Sequence, residues 1–133
     1  MTHHNKQAVG AKFELQKMLL ARDKTFDAVN RIADKITVGM AELDARAMAM
    51  DVLREMGMDR IWHPALVRFG ANTLKKFNQV SEGNPVLRQN DIFFVDLGVV
   101  WDGHEGDAGA TFVVGDDADM RACSEACKVI YDE

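Results

Sequence analysis

At 133 residues, with 47% hydrophobic and 28% charged side chains, the chain has the composition of one folded domain and is too short for two comfortable ones. A net charge of −5 argues against a nucleic-acid or anionic-membrane partner. No run reaches the roughly 20 apolar residues of a membrane span, and Met1-Thr2-His3-His4-Asn5-Lys6 lacks the apolar core of a signal peptide, so the expected compartment is the cytoplasm.

In chain order, His3 and His4 read as a mobile tail. From Asn5 to Ile36, the apolar residues Val9, Phe13, Leu20, Phe26, Val29, Ala33 and Ile36 recur at helical intervals, predicting one long helix or two nearly collinear ones broken near Asp23. A second helix is predicted from Met40 to Met56, with Leu43, Ala47, Met50 and Leu53 on one face and Gly57 as its stop. Met48, Met50 and Met56 read as packed core in preference to a peptide-binding surface. Ile61 to Gly70 reads as a strand interrupted by Pro64, which suits a sheet edge. His63 within it could serve as a ligand or a general base, and a hydrogen-bonded, partly buried structural histidine is the favoured reading. Ala71 to Asn90 is polar and loop-like, turning at Ser81-Glu82-Gly83-Asn84-Pro85.

Asp91 to Gly115 is the organising stretch. It reads as two apolar strands joined at Asp102-Gly103, a pair that favours a type I′ hairpin turn because both positions need positive φ. With those two as the loop, Trp101 pairs with His104, Gly98 with Asp107, and Asp96 with Gly109. Asp96 and Asp107 then project from one face as diagonal neighbours, roughly 7–8 Å apart at the backbone. Asp96 sits inside the otherwise apolar run Ile92-Phe93-Phe94-Val95-Asp96-Leu97, where an ionised carboxylate needs a partner. Fourteen of the sixteen Lys and Arg residues precede Asp91, and none lies between Asp91 and Met120, so a divalent cation bound by hard oxygen ligands is the natural counter-charge.

Asp116-Asp117-Ala118-Asp119 supplies a cap and an acidic first turn for a last helix through Tyr131. Cys123 and Cys127 lie four apart on it, without a second Cys/His pair at zinc spacing, and read as reduced, packed thiols. The helix meets no cap or terminating glycine before Glu133. Residues 1–133 therefore read as a single domain that is the N-terminal portion of a longer one.

The pattern from Asn90-Asp91-Ile92 through Val95-Asp96-Leu97-Gly98, Trp101-Asp102-Gly103, Gly106-Asp107 and Thr111-Phe112-Val113-Val114-Gly115 resembles the pita-bread metallopeptidases. That group includes methionine aminopeptidase, aminopeptidase P, prolidase and the metal-free creatinase. Ile36-Thr37-Val38-Gly39-Met40-Ala41-Glu42 and Val67-Arg68-Phe69-Gly70-Ala71-Asn72 resemble it less specifically. The resemblance implies an α+β fold, part of a pita-bread fold, with helices packed on a curved antiparallel sheet. It implies that Asp96 and Asp107 are metal ligands for two divalent ions, of Mn, Co, Fe or Zn, the remaining His and two Glu ligands coming from a second half of the fold. It implies a metal-dependent exopeptidase that cleaves N-terminal peptide bonds with metal-activated water, possible substrates including Xaa-Pro peptides. Two other functions stay open: a catalytically silent protein that binds peptides or proteins in its cleft, and a creatinase-like C–N hydrolase. Where active members place a substrate-contacting His before the hairpin, this chain has Leu74-Lys75-Lys76-Phe77, which leaves His63 or Lys76 as the substrate-binding candidates. Ala110 stands where the family commonly has Arg. With half the fold missing, an open apolar face is expected to drive association, as a homodimer or with a second chain fragment.

Overall fold

The computed structural model describes residues 10–132, and the expectations for Asn5 to Val9 and for the His3-His4 tail lie outside them. The elements run α1 (Leu15–Lys35), α2 (Glu42–Glu55), β1 (Arg60–Phe69), a 3-10 turn (Gly70–Leu74), β2 (Asp91–Trp101), β3 (His104–Val114) and α3 (Ala118–Asp132). The strands form one antiparallel sheet in the order β1-β2-β3, giving the expected α+β architecture. No helix among the described residues is long and apolar enough to cross a membrane.

Alternation along β2 divides the sheet into two faces. Phe93, Val95, Leu97, Val99 and Trp101 point into a core shared with α1 and α2, while Asp96 and Gly98 belong to the opposite face. Trp101 Nε1 donates to Thr25 Oγ1 at 3.0 Å, and Thr25 Oγ1 donates to the Ala21 carbonyl at 2.7 Å, tying α1 to the sheet. Gly106 allows that close approach: a Cβ there would stand 2.0 Å from Thr25 Oγ1 and 2.7 Å from the Ala21 oxygen.

α1 is continuous, without a break at Asp23, and it begins at Leu15. Its buried stripe is Ala21, Thr25, Ala28, Val29 and Ile32, whereas Phe13 and Leu20 are exposed. Likewise α2 buries Ala45, Ala49, Val52 and Leu53 and leaves Leu43 and Ala47 outside. Val29, Ile36 and Leu53 are buried as expected, and beside them the helices seat on the sheet through Ala21, Ala28, Ala45 and Ala49, small residues that a pattern of large apolar side chains does not mark. Met48, Met50 and Met56 pack against the core, as expected.

The segment predicted as loop is tied down. Asn84 Oδ1 accepts the Leu43 N–H at 2.9 Å, Glu42 N donates to the Pro85 carbonyl, and Ala41 bridges Val86, so this segment caps α2 from a distance. Asp117 Oδ1 accepts the Met120 N–H at 2.9 Å at the start of α3. That helix leans on β3 and none of its described residues is buried, so Cys123 and Cys127 are exposed, not packed.

Candidate metal centre

The hairpin closes as its turn chemistry dictates. Asp102 and Gly103 have φ of 48° and 73°, Trp101 pairs with His104, Gly98 with Asp107 and Asp96 with Gly109. Asp59 Oδ2 accepts the Gly103 N–H at 2.8 Å, which holds the turn. Asp96 and Asp107 thus share a face and converge. Each offers an oxygen to the same group of ligand atoms, all within 4.8 Å of one another, and the third member is His63.

His63 arrives there through irregularity in β1. Ile61 pairs with Val99, His63 with Gly98 and Leu66 with Asp96, so one residue is inserted on either side of His63. Extending the pairing of Leu66 with Asp96 without a bulge would put Pro64 opposite Gly98. The bulge puts His63 there instead, on the face of both aspartates. Its ring lies directly over Gly98, where a Cβ would stand 2.2 Å from His63 Cδ2 and 2.5 Å from Nε2. Trp62 and Phe77 flank the ring edge-on, at centroid distances of 4.6 and 5.8 Å. His63 Nε2 is 4.0 Å from Asp96 Oδ1 and 3.8 Å from Asp107 Oδ1, and its side chain is 9% exposed.

Burial pushes the Asp96 carboxyl above its ordinary range; the neighbouring Asp107 charge adds to that push, while His63 and Arg68 oppose it. Arg68 is buried, and its guanidinium donates to the carbonyls of Lys75 and Lys76 at 3.1 and 3.0 Å and to that of Gln79. Its hydrogen bonds therefore hold the loop after the 3-10 turn. Among the described residues, no hydrogen bond reaches the side chain of Asp96 or Asp107, and no Lys or Arg pairs with either. Two carboxylates without donors, beside an imidazole, are a donor set suited to a first-row divalent ion. Ligands each about 2.0–2.2 Å from one ion can stand at most about 4.4 Å apart. The His63–Asp separations of 3.8 and 4.0 Å fall within that span.

Of the residues singled out from sequence, the structure brings His63, Asp96 and Asp107 together. Lys76 lies on the exposed loop, where its N–H is held by Gln79 Oε1, and it is not in the cluster. Asp96 also borders a cavity of about 540 Å³ between the β2-β3 hairpin and α3, with Phe26, Phe94, Thr111 and Tyr131 among its walls. Gly98, Arg68 and Phe77 escaped sequence reasoning. Pro64 inside an apolar strand was the available sign of a bulge and hence of a re-aimed neighbour.

The sequence profile of metallopeptidase family M24 matches residues 16–133. The chain belongs to this family. Its fold is similar to that of an X-Pro aminopeptidase from Thermotoga maritima, with TM-score 0.68 and 20% identity over 82% of this chain and 30% of that one. A prolidase from Pyrococcus horikoshii matches with TM-score 0.72 and 18% identity, covering 86% of this chain and 32% of its own. A methionine aminopeptidase from Thermotoga maritima matches with TM-score 0.69 and 20% identity, covering 89% and 49%. All share the pita-bread fold, of which this chain spans about a third to a half of their length. No curated protein sequence matches the chain.

Proposed function

We propose that this M24 chain carries the aspartate half of the metal centre of an exopeptidase that hydrolyses N-terminal peptide bonds, with Xaa-Pro peptides as the first substrates to test. The observation that carries the reading is the pair Asp96 and Asp107, aimed at one point where, among the described residues, neither accepts a hydrogen bond or pairs with a Lys or Arg. X-Pro aminopeptidase and prolidase stand beside methionine aminopeptidase among the similar structures, which puts Xaa-Pro peptides among the substrates to test. Asp96 and Asp107 would hold two divalent ions, of Mn, Co, Fe or Zn, together with ligands from outside these residues. When bound, such ions lower the pKa of water and stabilise negative charge developing on a peptide carbonyl. The chain's own part is to fix the carboxylates through the hairpin register and to partly exclude water from Asp96. Trp62 and Phe77 present partly exposed rings beside the cluster, an apolar wall for a substrate side chain.

The test is turnover of Xaa-Pro dipeptides and of longer peptides by the protein from its whole reading frame, after chelation and after addition of Mn²⁺, Co²⁺ or Zn²⁺. Activity should return with metal and vanish in Asp96→Asn and Asp107→Asn. Full turnover by the double variant would remove the reading. Metal binding without turnover of any peptide would move the function from hydrolysis to binding in the cleft.

A further inference from the structure

We propose that His63 is itself a ligand of the centre, so that this chain alone holds one transition-metal ion between His63 Nε2 and the carboxylates of Asp96 and Asp107. The inference rests on the metal-centre reading above and adds to the two aspartates a nitrogen donor from β1.

Two histidines of the same fold make the argument. In His104, Nδ1 lies 2.8 Å from the Asp102 carbonyl, which can only accept, so Nδ1 carries the proton; Nε2 then accepts the Glu14 N–H at 3.0 Å. His63 repeats the first half of this arrangement, with Nδ1 2.8 Å from the Pro64 carbonyl. The second half is missing. Its Nε2 lone pair faces carboxylate oxygens at 3.8 and 4.0 Å, beyond hydrogen-bond distance, and no other partner for it is found among the described residues. A protonated Nε2 would draw one carboxylate into a short charge-assisted hydrogen bond, yet the ring stands almost equally far from both. Three acceptors converging without a donor are reconciled by a cation among them.

The surroundings hold the ring in that pose. It is nine-tenths buried, clasped by Trp62 and Phe77, and set down on the bare backbone of Gly98. A histidine whose far nitrogen is fixed by a backbone carbonyl, with its near nitrogen aimed at carboxylates, has the orientation that metal-bound imidazoles share. The imidazole steers the site toward ions such as Co²⁺ and Zn²⁺ and away from Mg²⁺ and Ca²⁺.

Co²⁺ is the probe, added to the whole chain carrying His3→Ala and His4→Ala, which removes the N-terminal histidines as rival ligands. The expected result is one hyperfine-shifted, exchangeable imidazole proton in the ¹H NMR spectrum, belonging to Nδ1–H of His63 and lost in heavy water. His63→Ala should abolish that resonance and weaken Co²⁺ binding by at least about 10-fold. Gly98→Ala should weaken binding likewise with the imidazole still present, because the new methyl group overlaps the ring. If His63→Ala binds Co²⁺ as tightly as the parent while Asp96→Asn and Asp107→Asn do not, His63 is no ligand and the aspartate reading stands. A parent chain that binds no Co²⁺ overturns both. Should the variants fail to fold, by circular dichroism, the parent spectrum decides alone: a cobalt-loaded chain without the shifted imidazole proton overturns the inference.

Discussion

Glu42 and Asp96, two carboxylates held on well-defined elements of this small fold, are treated in opposite ways. Glu42 opens α2 and is 1% exposed; its Oε2 accepts the Phe69 N–H at 2.8 Å and the Asn72 side-chain amide at 3.1 Å. Asp96 lies mid-strand in β2 with its side chain 37% exposed, and among the described residues it accepts no hydrogen bond while facing a second carboxylate and an imidazole ring. Donors that complete a buried anion make it a structural fastener, here joining α2 to the end of β1. An anion left without donors, although its strand is paired on both sides, retains capacity for a ligand. The difference teaches where to look for chemistry: at the group the fold leaves incomplete.

Substitution should separate the two sharply. The largest effect is expected at the incomplete site, where Asp96→Asn or Asp107→Asn should weaken divalent-metal binding by more than about 100-fold, read by isothermal titration with Co²⁺ or Mn²⁺. At Glu42 metal affinity should change little and stability should fall. Glu42→Ala strands the Phe69 N–H and the Asn72 amide, with an expected loss of about 3 kcal/mol in urea unfolding. Glu42→Gln keeps one acceptor oxygen and should lose about half of that. A Glu42→Ala protein with unchanged unfolding midpoint but lost metal binding would invert the comparison.

The sequence exposed one of these carboxylates and hid the other. Asp96 was visible because Asp102-Gly103 fixes the hairpin loop, and parity then fixes which residues share its face across the whole of β2 and β3. Nothing comparable marks Glu42, whose donors lie 27 and 30 residues away and meet it only through tertiary packing. His63 falls between. Its residue type suggested a ligand, but its face depends on two inserted residues in β1, and a bulge reverses the parity on which strand reading relies. The helix faces are legible only in part: Val29, Ile36 and Leu53 are buried as their spacing predicts, but Phe13, Leu20 and Leu43 are not. Ala21, Ala28, Ala45 and Ala49 are wholly buried, and a periodicity weighted toward large side chains passes over the alanines that permit close packing. The exposed cysteines of α3 show the same limit, since a helix pattern does not say what covers the helix.

The smallest effect sharpens the comparison most, because its sign differs between the sites. In metal-free protein Asp96→Asn should stabilise the fold at neutral pH where Glu42→Ala destabilises it. Burial raises the Asp96 carboxyl above the ordinary aspartate range, so the folded state binds that proton more tightly than the unfolded state does. For a raised carboxylate the charge is a penalty on folding. That penalty is fully present above the folded-state pKa and fades as pH falls toward the unfolded value. The advantage of Asp96→Asn should therefore be greatest near neutral pH and vanish by about pH 3.8, while the Glu42→Ala loss is measured at neutral pH. More than a third of the Asp96 side chain meets water, so the gain should not exceed about 1 kcal/mol. Urea unfolding of both proteins in chelator across that pH range measures it. A gain that grows on acidification would mean that Asp96 is stabilised as an anion by the protein itself, and the site would no longer need a cation.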